Sequence, residues 1–162
     1  MGQHPDPTEF RGAASRFLTG VTVVASLDEH GQPVGMTANS FTTISMRPPS
    51  VLVSLTLGRT SRAVAASGRY CVNVLPTDAL SASLHFAGKP VAGSIPELLL
   101  HDGFAVLDTA IAQFACEVVQ EIQVADHTLF IGEVRWCRQS DGTPLGFYSS
   151  TFRAGTGSIL TP

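Results

Sequence analysis

Runs of one charge are missing from this 162-residue sequence, whose ten Lys and Arg stand against thirteen Asp and Glu for a formal net charge of −3. Charged side chains make up only 14% of it and hydrophobic ones 44%, enough for one sizeable core. With no basic tract there is no electrostatic footprint for a phosphate backbone or an anionic bilayer, which argues against nucleic acid and membrane partners. No segment approaches the roughly 18 apolar residues of a membrane span. The start, Met1 to Pro7, lacks the basic and apolar parts of a secretory signal, so a cytoplasmic protein is expected. Cys71, Cys116 and Cys137 are odd in number and far apart, which speaks against a disulfide framework; they read as small buried hydrophobes.

Common catalytic spacings are also missing. There is no phosphate-binding loop, and Gly155 with Gly157 supplies only half of a dinucleotide fingerprint, in what reads as tail. His85, His101 and His127 fall on different elements rather than at a zinc-like spacing, so no metal is expected. A Cys paired with His127 would need a thiolate, yet every cysteine sits among apolar strand residues. Neither a triad nor paired carboxylates can be drawn, which is awkward for a hydrolase.

What is present is many short β-branched runs between turn residues. Asp6, Pro7 and Glu9 predict a helix start, and Phe10, Ala13, Ala14, Phe17 and Leu18 share one face, expected to cover a core before Gly20. Strands are predicted at 21–27, 33–36, 41–46, 51–57, 69–75, 112–123 and 128–138, with a last one within 144–152. Short helices are predicted at 61–67, capped by Thr60, and at 78–86. Residues 87–103, rich in Gly and Pro, read as a long loop and candidate lid. The pattern predicts one mainly β domain, a closed antiparallel barrel with a few short flanking helices, residues 1–6 and 154–162 forming flexible tails.

One polar seam stands out: Thr37, Ala38, Asn39 and Ser40, then Thr42, Thr43 and Ser45, then Ser54, Thr56, Thr60 and Ser61. Hydroxyls, an amide and free backbone groups suit a neutral heteroaromatic ring carrying phosphate. They equally suit the solvent face of a sheet, and composition alone does not choose.

The residues resemble those of the flavin reductase family, the split-barrel reductases of two-component monooxygenases, over nearly all of 10–153. The resemblance is carried by Phe17, Gly20, Val21 and Thr22, by Gly35 to Phe41, by Pro48 and Pro49 ahead of 51–55, and by Gly68 to Leu75. It continues through Phe86, Ala87 and Gly88, then Asp126, His127, Gly132 and Val134, then Pro144, Leu145, Tyr148 and Phe152. It implies an FMN-binding split barrel that reduces FMN or FAD with NADH, NADPH being the alternative donor, and passes reduced flavin to a monooxygenase. Thr37, Ala38, Asn39 and Ser40 would border the isoalloxazine. Ser54, Thr60 and Ser61 would hold the ribityl chain and phosphate, the last two at a helix start where free amides attract anions. Phe86, Ala87 and Lys89 would flank the rest of the nucleotide. His127 would stand at the nicotinamide as the catalytic side chain, with Tyr148, between Phe147 and Phe152, for stacking. A homodimer whose two subunits border each flavin is implied too. Three rivals remain: an FMN-dependent oxidase of the pyridoxamine phosphate oxidase type, which would need more basic residues, a flavin carrier without catalysis, and a plain interaction domain that binds no flavin.

Overall fold

Asp6 and Pro7 open the first helix, α1 (Pro7–Ala14), the Asp6 carboxylate accepting the Thr8 N–H at 2.8 Å. The computed structural model describes residues 4–155, so Gly157 and most of the expected C-terminal tail lie outside the described residues. The next elements are β1 (Thr19–Gly20), β2 (Thr22–Leu27), β3 (Pro33–Ala38), β4 (Thr42–Met46), β5 (Pro49–Thr56) and α2 (Arg59–Ser67). β6 (Arg69–Val74) leads through a 3-10 turn, Thr77–Ala79, into α3 (Leu80–Phe86). Then come β7 (Leu99–His101), β8 (Phe104–Val106), β9 (Ala112–Val124), β10 (His127–Gln139), β11 (Leu145–Tyr148) and β12 (Thr151–Ala154). No helix among the described residues is long and apolar enough to cross a membrane.

Seven strands form one antiparallel sheet in the order β3-β2-β6-β9-β10-β5-β4. Its outer strands, β3 and β4, share no ladder among the described residues, so the sheet is open where a closed barrel was expected. The cause is local. Residues 39–41 carry the chain from β3 into β4 without a hairpin, and β4 pairs with β5 instead. A second sheet, β1-β11-β12, and the hairpin β7-β8 complete the fold.

One core lies inside the curl of the large sheet, where Val24, Val51, Val53, Leu55, Tyr70, Val72, Cys116 and Phe130 pack with Val64 of α2. A second joins Val23 and Leu75 to Ala79, Ala82, Leu107 and Leu145. Helix α1 covers neither: none of its residues is buried, and Phe10 and Phe17 are 65% and 76% exposed. The places expected for it are taken by α2, α3 and the small sheet.

Four further expectations change. The predicted last strand is a hairpin, and the predicted loop is shortened by β7. The second helix starts at Arg59 rather than Ser61, because the Ser61 hydroxyl takes the Gly58 N–H at 2.8 Å and fixes Gly58 as its cap. Cys71 and Cys116 are buried as expected, but Cys137 is exposed.

Candidate functional site

Alternation along β5 and β10 sorts the predicted residues. Val51, Val53 and Leu55 point into the core, so Leu52, Ser54 and Thr56 point out. On β10, Thr128 and Phe130 are buried, while His127 and Leu129, paired with Thr56 and Ser54, share that outer face. His127 ends this row, its Nδ1 2.9 Å from Asp126 Oδ1 and its side chain 41% exposed. That hydrogen bond from His127 holds the Asp126 carboxyl below the usual carboxylate range.

The end of β3 is pinned on both sides. The Thr37 hydroxyl donates to the carbonyl of Ser83 in α3 at 2.6 Å, and the Thr22 hydroxyl donates to the carbonyl of Ala38 at 2.8 Å. One residue on, Ser40 and Ser54 bond each other reciprocally. Asn39, between these ties, is exposed and its side chain finds no hydrogen-bond partner among the described residues.

Thr37, Ala38 and Asn39 form one edge of a cleft of about 450 Å³ whose other walls are Leu84, Ala87 and Lys89 after α3, with Val21, Phe147, Ser150 and Phe152. That lies within the roughly 300–1,000 Å³ of small-molecule sites. Phe147 and Phe152 meet edge-on, centroids 5.2 Å apart, as an apolar wall. Lys89, the one lysine of the chain, is set there by its N–H bond to the Leu84 carbonyl at 2.9 Å. Its ammonium has no acidic partner among the described residues.

Five of the sequence-predicted residues therefore meet in one place: Thr37, Ala38, Asn39, Ala87 and Lys89. The others are placed differently. Ser40 spends its hydroxyl on the Ser54 backbone, and the Ser54 side chain lies on the outer sheet face beside Leu129 rather than in this cleft. Thr60 and Ser61 are buried residues at the start of α2, where the Ser61 hydroxyl is spent on the helix cap, and neither lines this cleft. Phe86 packs in the second core over Gly35. Tyr148 lines the cleft on the other side of the small sheet, with Leu18, Gly146 and Arg153. The pleat explains this, since neighbours on a strand face opposite ways and Phe147 takes the inward place. Val21, Leu84 and Ser150 were not foreseen as lining; Ser150 gave no signal because its role depends on the turn it occupies.

The walls fit a flavin. An apolar face of two aromatic rings opposes an edge of amide and hydroxyl groups, and free donors at Asn39, Lys89 and Ser150 await an acceptor-rich ligand. No three His, Cys, Asp or Glu side chains are grouped to hold a metal among the described residues.

A mainly β domain with a cleft of this size, walled by two aromatic rings and edged by polar groups and one lysine, has the form of a site for a planar heteroaromatic nucleotide. The family can be stated more closely: residues 14–156 match the flavin reductase like domain, and the chain belongs to that family. It is 37% identical over 151 residues to an NADH-dependent flavin reductase of Rhodococcus sp, covering 91% of this chain and 86% of that one. It is 38% identical over 151 residues to the NADH-dependent flavin reductase StyB of Pseudomonas fluorescens, covering 91% and 89%. Among solved structures, the styrene monooxygenase flavin reductase of Pseudomonas putida S12 superposes with a TM-score of 0.85 at 37% identity, over 93% of this chain and 99% of that one.

Proposed function

We propose that this chain is an NADH-dependent flavin reductase that supplies reduced FMN or FAD to a partner monooxygenase. The observation that carries the reading is the cleft: the pinned segment Thr37 to Asn39 faces an aromatic wall with Lys89 at its margin, in a chain of this family. The bound flavin supplies the hydride acceptor and the nicotinamide the donor. The chain's work is then to hold two rings together and keep water from them.

Thr37 and Ala38, fixed by their bonds to Ser83 and Thr22, give a rigid edge for the ring's polar side, and the Asn39 amide is free to donate. Phe147 and Phe152 exclude water from the opposite side. Lys89 suits the nucleotide's phosphate. The absence of a strong acid or base pair in the cleft matches chemistry that moves a hydride and needs little proton transfer. The split-barrel form is our reading of the open sheet, supported by the core in which Met36, Ala38 and Phe41 from one end of the sheet pack on the same cluster as Val51, Val53 and Leu55 from the other.

His127 enters through a homodimer. Its row continues into an apolar outer face of Leu52, Leu129, Ile131, Ile122 and Val124, the last two 38% and 51% exposed. A second copy on that face buries it and brings His127 beside the partner's flavin. We read residues 1–162 as one such domain, working in the cytoplasm.

The test is NADH oxidation followed at 340 nm with riboflavin, FMN and FAD added separately. Oxidation that depends on added flavin is expected. A carrier would bind flavin without consuming NADH, and an oxidase of the pyridoxamine phosphate type would act on an amine without it.

A further inference from the structure

We propose that Ser150 is a specificity-determining residue of the cleft, its hydroxyl presented to a neutral carbonyl or amide edge of the bound heteroaromatic ligand. The inference rests on the proposed function and deepens it.

The observation is a strained turn in the cleft wall. β11 and β12 are joined by Ser149 and Ser150 alone, and both have positive φ, 50° and 59°. Such a turn favours Asn and Gly, because a Cβ in the left-handed region crowds the following carbonyl. The same chain shows the unstrained solution elsewhere. Its β7–β8 hairpin turns on Asp102 and Gly103, with φ of 49° and 79°. Two serines in place of such a pair work against folding.

The turn is held by its surroundings. The Ser149 N–H donates to the Ser15 carbonyl at 2.9 Å, and the Thr151 hydroxyl donates to the Ser149 carbonyl at 3.3 Å. Neither contact uses the Ser150 side chain. Its hydroxyl has no hydrogen-bond partner among the described residues, and it lines the cleft beside Phe147 and Phe152, together with Asn39 and Lys89. Of the two residues that share the strain, Ser150 is the one that lines a ligand-sized cavity, and a strained residue there with an unspent hydroxyl is the pattern of one kept for contact with ligand. The hydroxyl can donate and accept, which suits an edge where carbonyl oxygen and amide N–H alternate. Both the pyrimidine side of a flavin and the carboxamide of a nicotinamide have that chemistry.

Two variants separate hydroxyl from backbone. Ser150→Gly removes both the hydroxyl and the strain, so its Tm rises by a few degrees. Ser150→Ala removes the hydroxyl and keeps the strain, so its Tm does not rise. Both are expected to weaken the same ligand about fivefold, the effect of one neutral hydrogen bond. Flavin fluorescence titration without nucleotide reads the flavin arm, and KM for NADH at saturating flavin reads the nicotinamide arm. A shared loss in either arm supports the proposal and names the ligand. Equal affinities in wild type and both variants overturn it, as does weakening confined to Ser150→Gly, which would trace the effect to chain freedom. Failure of wild type to bind flavin is a separate result and overturns the proposed function along with it.

Discussion

The Ser40 hydroxyl donates to the Ser54 carbonyl at 2.7 Å and accepts the Ser54 N–H at 3.1 Å. One side chain thus does for β5 what a neighbouring strand would do, at the corner where β3 gives way to β4. It anchors the residue next to Asn39. Ser40→Ala leaves a half-buried N–H and carbonyl unpaired, and is expected to lower stability by about 1–3 kcal/mol. Flavin affinity should fall with it, because the cleft edge loses its support. Urea unfolding and flavin titration of the same preparation check both.

Gly132 faces the core where β10 shifts register against β9. A Cβ there would lie 2.5 Å from the Tyr70 hydroxyl oxygen and 2.7 Å from the Cys116 Cβ. Tyr70 is fully buried, its hydroxyl directed at the carbonyls of Val51 and Phe130, so it has nowhere to retreat. Gly132→Ala is expected to cost about 1–3 kcal/mol by overpacking. A thermal melt showing no loss would mean that the strand shifts freely.

The buried thiols give a pH dependence of definite sign. Burial pushes Cys71 and Cys116 from 9.0 up to about 12, and it drives the Tyr70 hydroxyl upward as well. The folded chain therefore keeps protons that the unfolded chain releases. Stability from these groups is full below pH 9 and is lost as pH rises toward 12. Unfolding midpoints should fall progressively across that window. With one lysine in the chain, amine titration adds little to the signal. At pH 8 a thiol reagent should modify only the exposed Cys137 until denaturant is added.

Much of this architecture was legible in the residues, and the exceptions share a cause. Strand positions follow from β-branched runs, and the polar cluster at Thr37 to Asn39 is visible in composition, but only the family resemblance, not composition, points it at a ligand; in the structure it edges a cleft. Local signals failed where a partner far along the chain decided the outcome. Nothing near Ser40 announces Ser54, and the burial of Thr60 and Ser61 depends on what the start of α2 packs against. The apolar stripe expected for the first helix breaks off, because α1 ends at Ala14 and leaves Phe17 and Leu18 beyond it and exposed, while α3 and the small sheet pack on the core it was expected to cover. Tyr148 was misplaced for a simpler reason: strand alternation assigns it and Phe147 to opposite faces once β11 is fixed to begin at Leu145.

Lys89 tests how the nucleotide is held. As a point charge at the cleft margin it should matter for ligands carrying phosphate and not for riboflavin. Lys89→Met is expected to raise KM for FMN and FAD about twofold to fivefold, roughly one exposed ion pair, and to leave riboflavin unchanged. The difference should shrink at high salt. Equal effects on all three flavins would point to lost packing instead.

His127 is the case in which position and proposed role must be reconciled. It does not line the cleft formed by Thr37 to Asn39 within one chain. It sits on the outer sheet face with Thr56 and Ser54, its ring oriented by Asp126. If it acts at the nicotinamide across a dimer, His127→Ala should lower turnover with NADH about tenfold to a hundredfold, the range for one positioned group. Flavin affinity should change little, because the cleft itself is intact. Asp126→Asn should show a smaller loss, since the ring keeps its place but loses the carboxylate that orients it. A mixed dimer of His127→Ala with a variant crippled in its own cleft discriminates further. One site in such a dimer pairs an intact cleft with an intact His127 only if the histidine serves the neighbouring subunit. Activity in the mixture well above that of either parent alone is therefore expected, whereas unchanged kinetics of His127→Ala would reduce the residue to a strand terminus.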